Sequence, residues 1–243
     1  MEINLKNKLI FINGLTGAIG ETLARECVSL GARVYGLYGK NKSKAETLFK
    51  EMGIKGLSLD LGKEKITPES LKNFLGAERI YGLINAGGLT IDKPLMSLKE
   101  EEWDEVIGVN LTGLFSLTKA LLPWIVEGGR IINLSSSVGL IGARGQANYA
   151  SAKAGLWGFT KSLAIEASVN KIMVNLVLPG FIPSGMSQRA SPSAWEMARE
   201  ESLTGDLLSP ETVADFIVYL LSDYSQGITG QAFNIDNRIR RWW

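Results

Sequence analysis

Tyr149 and Lys153 lie one helical turn apart in a stretch without proline that predicts a helix over 149–167. Residues at this spacing share one helix face. An ammonium beside a phenol favours the phenolate, so we expect the pKa of Tyr149 to lie below its ordinary value of about 10. Such a tyrosine is a general acid and base near neutral pH. The same spacing also occurs on ordinary helix faces, so the interpretation depends on the rest of the chain.

Ser136 is the candidate third member of this site. It follows the apolar run 130–134, which predicts a buried strand. A strand that ends there, followed by a loop, would bring the Ser136 hydroxyl next to Tyr149. The sequence therefore predicts a cluster of a serine, a tyrosine and a lysine.

The composition excludes several kinds of site. The 243 residues include no histidine, which excludes a Ser-His-Asp triad, a Cys-His pair and a histidine-ligated zinc. One cysteine, Cys27, rules out an intrachain disulfide and fits a reducing, cytoplasmic location. The net charge of +1 gives no reason to expect nucleic acid or an anionic membrane as partner. The sequence has no run of about 18 consecutive apolar residues that would predict a membrane span, and we expect no metal.

The first strand, turn and helix have the features of a dinucleotide site. An apolar run over 8–12 predicts a buried strand, and a glycine-rich turn over 13–20 leads into a helical pattern that extends to Leu30. Glycines let the backbone approach a pyrophosphate, while the helix N-terminus supplies N–H groups and the positive end of its dipole. A plain strand–helix turn is the alternative interpretation.

The end of the second predicted strand, 31–38, favours NADP over NAD. An acidic residue usually binds the ribose 2′-hydroxyl of NAD at such a strand end. This chain has Tyr38 there, followed by Lys40 and Lys42, so a 2′-phosphate fits better than a hydroxyl. A solvated loop with ordinary charges is the alternative. Asp60, which ends the third predicted strand, is a candidate to bind adenine or a turn residue.

Strands and helices alternate along the rest of the chain. This pattern predicts one domain over 1–243, with an α/β, Rossmann-like, doubly wound and mostly parallel sheet that has helices on both faces. The interruption at 183–209 is expected to be a substrate-binding loop. Asn110, within the helical region 101–124, lies among apolar neighbours and requires hydrogen-bond partners. Further strands are predicted at 54–59, 80–84, 129–135, 171–178 and 231–235, and further helices at 43–52, from Pro68 onward and at 210–222.

Together these elements resemble the short-chain dehydrogenase/reductase family over essentially the whole chain. The subgroup that the chain looks like is the 3-oxoacyl-[acyl carrier protein] reductase type, mainly through the segments 145–155 and 174–182. The resemblance implies NADPH-dependent reduction of a 3-oxoacyl thioester to a secondary alcohol, in fatty acid biosynthesis, by a homodimer or homotetramer. The helical regions 101–124 and 149–168 carry apolar residues on more than one face, which also favours an oligomer.

The resemblance also implies residue roles. In the implied tetrad of Asn110, Ser136, Tyr149 and Lys153, the tyrosine protonates the carbonyl oxygen and the serine polarises it. The lysine lowers the tyrosine pKa and holds the nicotinamide ribose, and the asparagine anchors a water that relays protons to the lysine. The other implied cofactor contacts are Gly14, Thr16, Gly17, Ala18, Ile19 and Gly20 at the pyrophosphate turn, Tyr38 and Lys40 near the ribose, Asp60 and Leu61 near adenine, Asn85, Ala86 and Gly87 on the adenosine side, and Pro179, Gly180, Ile182 and Ser184 on the nicotinamide side.

Several positions depart from the family pattern. Asn13 replaces the usual threonine, Ala18 replaces a glycine, and Gly17 stands where many NADP-using members carry a basic residue. Ser184 keeps a hydroxyl where threonine is common. In place of two glycines near the end, the chain has Asp236-Asn237-Arg238 and then 239–243. Bulky residues there would alter subunit packing or reach into a neighbour's site; a frayed terminus is the alternative.

Three other functions fit the same sequence. The first is an NAD-dependent dehydrogenase that oxidises a secondary alcohol. The second is a reductase of a different carbonyl, such as a sugar, a steroid or an aromatic ketone. The third is a cofactor-binding subunit without catalytic activity, which Ala18 and the unusual tail allow but the intact tetrad disfavours.

Overall fold

A computed structural model of the chain describes residues 2–64, 66–185, 187–189 and 191–239. Over these residues seven strands form one sheet, and every neighbouring pair is parallel. The strands are β1 Leu9–Asn13, β2 Arg33–Tyr38, β3 Lys55–Ser58, β4 Ile80–Asn85, β5 Ile125–Leu134, β6 Met173–Pro179 and β7 Ala232–Ile235. Their order in the sheet is β3-β2-β1-β4-β5-β6-β7. The predicted doubly wound α/β fold is confirmed.

Helices cover both faces of the sheet. They are α1 Ala18–Ser29, α2 Lys42–Met52, α3 Pro68–Leu75, α4 Glu100–Ile107, α5 Gly113–Leu121, α6 Val138–Ile141, α7 Ala147–Ala167, α8 Pro192–Glu200 and α9 Pro210–Leu221. On one face, Ile10 and Ile12 of β1 pack in a core with α1 and α9. On the other, Leu9 and Phe11 pack with α3, α5 and α7. Burial on both faces explains why the strand is an unbroken apolar run.

The strand order reverses between β1 and β4, which are neighbours in the sheet. In open parallel sheets, ligands bind in the crevice outside the carboxyl ends of the strands at this reversal. The turn after β1 and the loop after β4 therefore form the walls of the candidate crevice. Asn13 pairs in register with Asn85, and Asn85 pairs with Asn133 of β5.

A buried chain of polar side chains connects β4 and β5 with the helices behind them. The amide nitrogen of Asn85 donates to the Asn133 amide oxygen at 2.8 Å and to the Thr118 hydroxyl of α5 at 3.1 Å. Asn133 in turn donates to the Thr160 hydroxyl of α7 at 2.9 Å. All four side chains are buried. Since a buried polar group without a partner is costly, these bonds fix how the two strands and two helices meet.

The predicted helical region 101–124 is divided into parts. A π-helical turn, Gly108–Thr112, separates α4 from α5, and a short 3₁₀ turn, Leu122–Trp124, ends the region. By length and composition Glu100–Trp124 could cross a membrane, but 44% of its apolar window is buried inside the protein. Leu114, Leu117 and Leu121 have no exposed surface. These three leucines therefore belong to the core.

Other boundaries differ modestly from the prediction. β5 begins at Ile125 rather than at residue 129, because Ile125 pairs with Ile80 before a shift in register. Within the predicted substrate loop 183–209, Pro192–Glu200 forms a helix whose N-cap is Ser191, which accepts a hydrogen bond from the Ala194 N–H. The end of the tail, 240–243, lies outside the described residues.

Gly14 brings the turn after β1 into direct contact with the loop after β4. Its φ is +86°, and a Cβ at this position would lie 2.5 Å from the Gly87 nitrogen. Gly20 in the first turn of α1 is equally restricted, because a Cβ there would lie 2.2 Å from the Gly14 carbonyl oxygen. Both glycines are thus required by the packing of the protein itself.

We predict that Gly14→Ala destabilises the protein far more than Gly53→Ala. Gly53 also has a positive φ, +65°, but nothing lies within 4 Å of the added methyl. Gly53→Ala should lower the free energy of unfolding by about 1–2 kcal/mol, which is the cost of a left-handed backbone conformation. Gly14→Ala adds a clash with the backbone and should lower it by about 2–5 kcal/mol. Urea unfolding of both variants measures this, and equal losses would contradict the close approach.

Candidate active site

Tyr149, Lys153 and Ser136 meet at the carboxyl end of β5. Tyr149 lies in the first turn of α7, and the neighbouring Ser136 side chain acts to lower the pKa of its phenol. The Lys153 ammonium donates to the Leu134 carbonyl at 2.8 Å and lies 5.6 Å from the centre of the Tyr149 ring. The Ser135 hydroxyl donates to the Lys153 carbonyl at 2.8 Å, which fixes α7 against the strand end. The predicted serine, tyrosine and lysine are therefore neighbours.

The sequence predicted a lowered pKa for Tyr149, and this prediction is wrong for the protein without bound cofactor. Burial raises the pKa of Tyr149 to about 12; the hydrogen bond to Ser136 opposes this shift, and the Asp92 charge adds to it. Burial also lowers the pKa of Lys153 to about 8. Both effects have one cause, because removing water disfavours the charged form of either group. The sequence places the lysine beside the tyrosine but does not show how deeply the pair is buried.

Asn110 is fully buried in the π-helical turn between α4 and α5. Its amide oxygen accepts from the Leu89 N–H at 2.9 Å, and its amide nitrogen donates to the Leu89 carbonyl at 2.8 Å. Asn110 and Lys153 approach the same side of Gly88, because a Cβ on Gly88 would lie 2.7 Å from the Asn110 oxygen and 3.7 Å from the Lys153 ammonium. The side chain thus holds the loop after β4, and its implied role with a water stays a prediction.

Asn148 is a positioning residue to which the sequence analysis gave no role. It is fully buried and precedes Tyr149. Its amide oxygen accepts from the Tyr149 N–H at 2.8 Å, and its amide nitrogen donates to the Ile91 carbonyl at 3.1 Å. Gln146 likewise donates to the Asp92 carboxylate at 2.9 Å. The one available signal was an amide directly before the candidate tyrosine.

The turn after β1 presents the start of α1 to the crevice. Gly17 is the N-cap of α1, and no side chain caps this helix. The first N–H groups of a helix have no partner within it, so they can bind an anion such as a pyrophosphate. Asn13 is buried, and its amide nitrogen has no hydrogen-bond partner among the described residues. The segment that holds Thr16, Ala18 and Ile19 therefore fits a phosphate group.

The lysines after β2 differ in their partners. Lys44 lies 2.6 Å from Glu21, and Lys42 lies 3.8 Å from Glu46. Lys40 is exposed and forms no ion pair within the described part of the chain. Tyr38 is buried against Phe49, with the ring centres 5.8 Å apart. Lys40 is therefore the lysine that remains available to a ligand.

On the adenine side, two predicted residues also have structural roles. An Asp60 carboxylate oxygen accepts from the Gly62 N–H at 3.0 Å, as in a turn. The Leu61 carbonyl lies against Gly113 at the start of α5, where a Cβ would lie 2.4 Å away. The Asn85 side chain is bonded within the protein, so a ligand contact at Asn85 would come from its backbone.

The predicted nicotinamide side follows β6. Pro179 ends this strand, and the Gly180 N–H donates to the Ile235 carbonyl at 2.8 Å. Ile182 is buried in the core that holds α1 and α9. The Ser184 hydroxyl accepts from the Ser187 N–H at 3.3 Å. The implied contact of this hydroxyl with a carboxamide stays a prediction.

A family model described as "Enoyl-(Acyl carrier protein) reductase" matches residues 14–237 of the chain. The chain belongs to the short-chain dehydrogenase/reductase family. As a member, this dehydrogenase/reductase is an oxidoreductase that uses a nicotinamide cofactor. The crevice fits such a cofactor, because α1 has an uncapped N-terminus and Asn13 has an unpartnered amide nitrogen there.

Curated relatives of this dehydrogenase/reductase match over nearly their whole length. The 3-oxoacyl-[acyl-carrier-protein] reductase FabG of Aquifex aeolicus is 36% identical, covering 97% of this chain and 98% of the relative. The FabG proteins of Thermotoga maritima and Escherichia coli are 37% and 34% identical, covering 98% and 96% of this chain and 99% and 98% of the relatives.

Solved structures confirm the fold of this dehydrogenase/reductase. A dehydrogenase/reductase from Sinorhizobium meliloti superposes with a TM-score of 0.89 at 27% identity, over 98% of this chain and 96% of that chain. A short-chain dehydrogenase/reductase (glucose/ribitol dehydrogenase) from Brucella melitensis reaches a TM-score of 0.91 at 22% identity, over 99% of this chain and 100% of that chain.

The burial of Lys153 predicts a specific pH dependence of stability. Its pKa is about 8 in the folded protein and 10.5 ordinarily, so between these values the unfolded chain binds more protons. Lys153 therefore increases the free energy of unfolding as the pH rises from 8 to 10.5. Tyr149 acts oppositely above pH 10, because the folded protein retains a proton that the unfolded chain loses.

We predict that Lys153→Met removes the increase in the free energy of unfolding that Lys153 causes between pH 8 and pH 10.5. Urea unfolding of wild type and variant at about pH 7 and about pH 9.5 measures it. The wild type should become more stable relative to the variant at the higher pH. A difference that stays constant between the two pH values would contradict the buried, weakened lysine.

Proposed function

We propose that the protein reduces the keto group of a 3-oxoacyl thioester to a secondary alcohol with NADPH. The observation that carries this proposal is that the Ser136 and Tyr149 hydroxyls are neighbours beside a buried Lys153 at the carboxyl end of β5. The named 3-oxoacyl-[acyl-carrier-protein] reductases, 34–37% identical over nearly the full chain, support the same substrate.

The chain's own residues account for the proton side of the reaction. When bound, the nicotinamide group supplies a hydride to the carbonyl carbon. Ser136 donates a hydrogen bond to the carbonyl oxygen and polarises it, while Tyr149 transfers its phenolic proton to the same oxygen. The Lys153 ammonium lies 5.6 Å from the centre of the Tyr149 ring and is the nearby proton source for the phenol. Its pKa of about 8 makes release of a proton easier than from an ordinary lysine.

The buried tyrosine is suited to donate a proton. A general acid must carry its proton before the reaction, and burial raises the pKa of Tyr149 to about 12, which keeps the phenol protonated at neutral pH. The names of the curated relatives favour the reductase over the NAD-dependent dehydrogenase.

The curated relatives favour a keto group over a carbon–carbon double bond. The matching family model is described as an enoyl reductase, whereas the curated relatives are named 3-oxoacyl reductases. A keto oxygen gains charge during reduction, and the Ser136 and Tyr149 hydroxyls can stabilise that charge. Reduction of an enoyl thioester places charge on the thioester oxygen, so the relatives rather than the hydroxyls separate the two substrates.

We predict that Tyr149→Phe reduces turnover of an acetoacetyl thioester at least about a hundredfold, because only the proton donor is lost. NADPH binding should stay close to that of the wild type. Following NADPH oxidation with acetoacetyl and crotonyl thioesters measures both the role and the substrate class. Crotonyl reduction in place of acetoacetyl reduction, or a variant with nearly full rate, would contradict the proposal.

The choice of NADPH over NADH rests on the end of β2. No carboxylate occurs in Tyr38-Gly39-Lys40, and Lys40 is exposed without an ion pair to a described residue. Gly17 supplies no positive charge on the opposite side, so Lys40 would carry the recognition of a 2′-phosphate. A charged hydrogen bond is strong enough to set this preference.

We predict that Lys40→Ala lowers kcat/KM for NADPH about tenfold and leaves that for NADH unchanged. Lys42→Ala is the matched control, because Lys42 lies next to Glu46 and should change the preference less. Steady-state kinetics with both cofactors measures the two variants. A wild type that prefers NADH, or equal effects of both variants, would contradict the 2′-phosphate assignment.

The remaining proposals concern the setting of the reaction. By analogy with the named relatives, the acyl group is presented on an acyl carrier protein, in the cytoplasm and in fatty acid biosynthesis. We also infer a homodimer or homotetramer. Phe115 of α5, Ile165 of α7 and Val169 just after α7 are 45%, 76% and 83% exposed, which supports burial of these helices against a second subunit.

A further inference from the structure

The segment after β7 folds back onto the carboxyl end of the sheet instead of ending there. Its first residue, Asp236, has no exposed side-chain surface and contacts Gly180, where a Cβ would lie 2.5 Å from the carboxylate. Arg238, whose side chain is 9% exposed, donates two hydrogen bonds of 2.9 Å to the two Asp236 oxygens. Gly180 belongs to the predicted nicotinamide side, so this buried ion pair lies directly behind the crevice.

Arg238 also reaches the substrate loop. One guanidinium nitrogen lies 3.6 Å from the Glu201 carboxylate, at the C-cap of α8. Arg238 thus lies between a carboxylate at the crevice wall and one at the end of α8. The planar guanidinium suits this arrangement, because it has donors on several sides.

Asn237 connects the tail to the loop that follows α8. Its carbonyl accepts from the Leu203 N–H at 2.9 Å. Its amide nitrogen lies 2.5 Å from the Asp206 carbonyl, 3.0 Å from the Ser202 hydroxyl and 3.3 Å from the Thr204 hydroxyl. Two amide hydrogens are therefore shared among three acceptors, and the loop 202–206 closes around this one side chain.

The opposite end of the substrate loop is attached differently. The Trp195 ring packs edge-to-face on Phe181, with the ring centres 5.0 Å apart. Its indole N–H donates to the Ser187 carbonyl at 3.1 Å. Since Phe181 directly follows Gly180, α8 is attached to the crevice wall near its start and to the tail at its end.

We propose that Asn237 and Arg238 are positioning residues that hold the segment 192–206 over the substrate side of the crevice. This rests on the proposed carbonyl reduction, in which 183–209 contacts the substrate. Neither residue touches the reacting atoms; both act by fixing α8 and the loop after it. The two glycines that the family commonly has near this end offer no side chain for either connection.

Asn237→Ala tests this connection with little risk to folding. It removes the amide but leaves the buried Asp236–Arg238 pair intact, whereas loss of Arg238 would leave a buried carboxylate without its bidentate partner. Arg238→Lys is the second variant. It keeps the positive charge but cannot donate two parallel hydrogen bonds to Asp236. Asn234→Ala, which removes an exposed amide of β7, is the matched control.

Two measurements are made on each purified full-length protein. The first is limited trypsin digestion with mass identification of cleavage after Arg199, an exposed residue in the last turn of α8. The second is steady-state NADPH oxidation with an acetoacetyl thioester. Asn237→Ala should be cut about tenfold faster and should raise KM about tenfold, with kcat changed less than about twofold.

If Asn237 had only a structural role, Asn237→Ala would lower thermal stability and would change KM and kcat by similar factors. That result would overturn the proposal. So would an unchanged rate of cleavage after Arg199. Arg238→Lys should show the same direction as Asn237→Ala, and Asn234→Ala should match the wild type. Absence of turnover in the wild type would count against the proposed function, while the cleavage rates would still support or overturn the attachment of the segment.

Discussion

The hydrogen bond between the side chains of Asn85 and Asn133 fixes the relation of the two strands that carry the site. Asn85 leads into the loop that holds Gly88 and Leu89, and Asn133 leads into the serines that face Tyr149. Both amides are fully buried, so water cannot replace the bond if the strands slide past each other. A shift by one residue would place both amides on the wrong face. This contact, together with the backbone pairing of β4 and β5, therefore helps to set the relative positions of Lys153, Ser136 and Asn110.

Burial explains why the chemistry of the pair differs from what its spacing alone suggests. Tyr149 and Lys153 share a helix face, and in water the lysine would favour the phenolate. Inside the protein, the loss of solvent affects both groups more than they affect each other, so each tends toward its neutral form. The neutral phenol is a proton donor in its resting state. The depth of the site thus leaves the phenol with its proton before the reaction.

The sequence predicted the fold well because the strands are buried on both faces. Such strands are unbroken apolar runs, and the turns between them contain glycines with specific packing roles, such as Gly14 and Gly20. Ser136, Tyr149 and Lys153 were predicted to be neighbours for a similar reason, since Ser136 follows a strand end and the other two lie near the start of a helix. These signals are local in sequence and therefore visible without a structure.

What could not be predicted depends on distant contacts. Asn237 bonds to Ser202, 35 residues earlier in the chain, and neither residue lies in a periodic pattern that would reveal the contact. The positioning role of Asn148 depends on its bond to Ile91, which lies 57 residues earlier in a loop beyond β4. The different partners of Lys40, Lys42 and Lys44 also required the structure, because their charges are identical in the sequence. Side-chain pairing between loops leaves no repeat from which to infer it.

The attachment of α8 at both of its ends has a consequence for how such enzymes are recombined. Trp195 joins the helix to the strand end, while Asn237 and Arg238 join it to residues that come after the last strand. The two halves of this attachment are separated in the chain by α9 and β7. A chimera that exchanged only the segment 183–209 would receive a foreign loop without its anchoring residues. The segment 183–209 is therefore held by residues distant in the chain, and it would have to be transferred together with Asp236–Arg238.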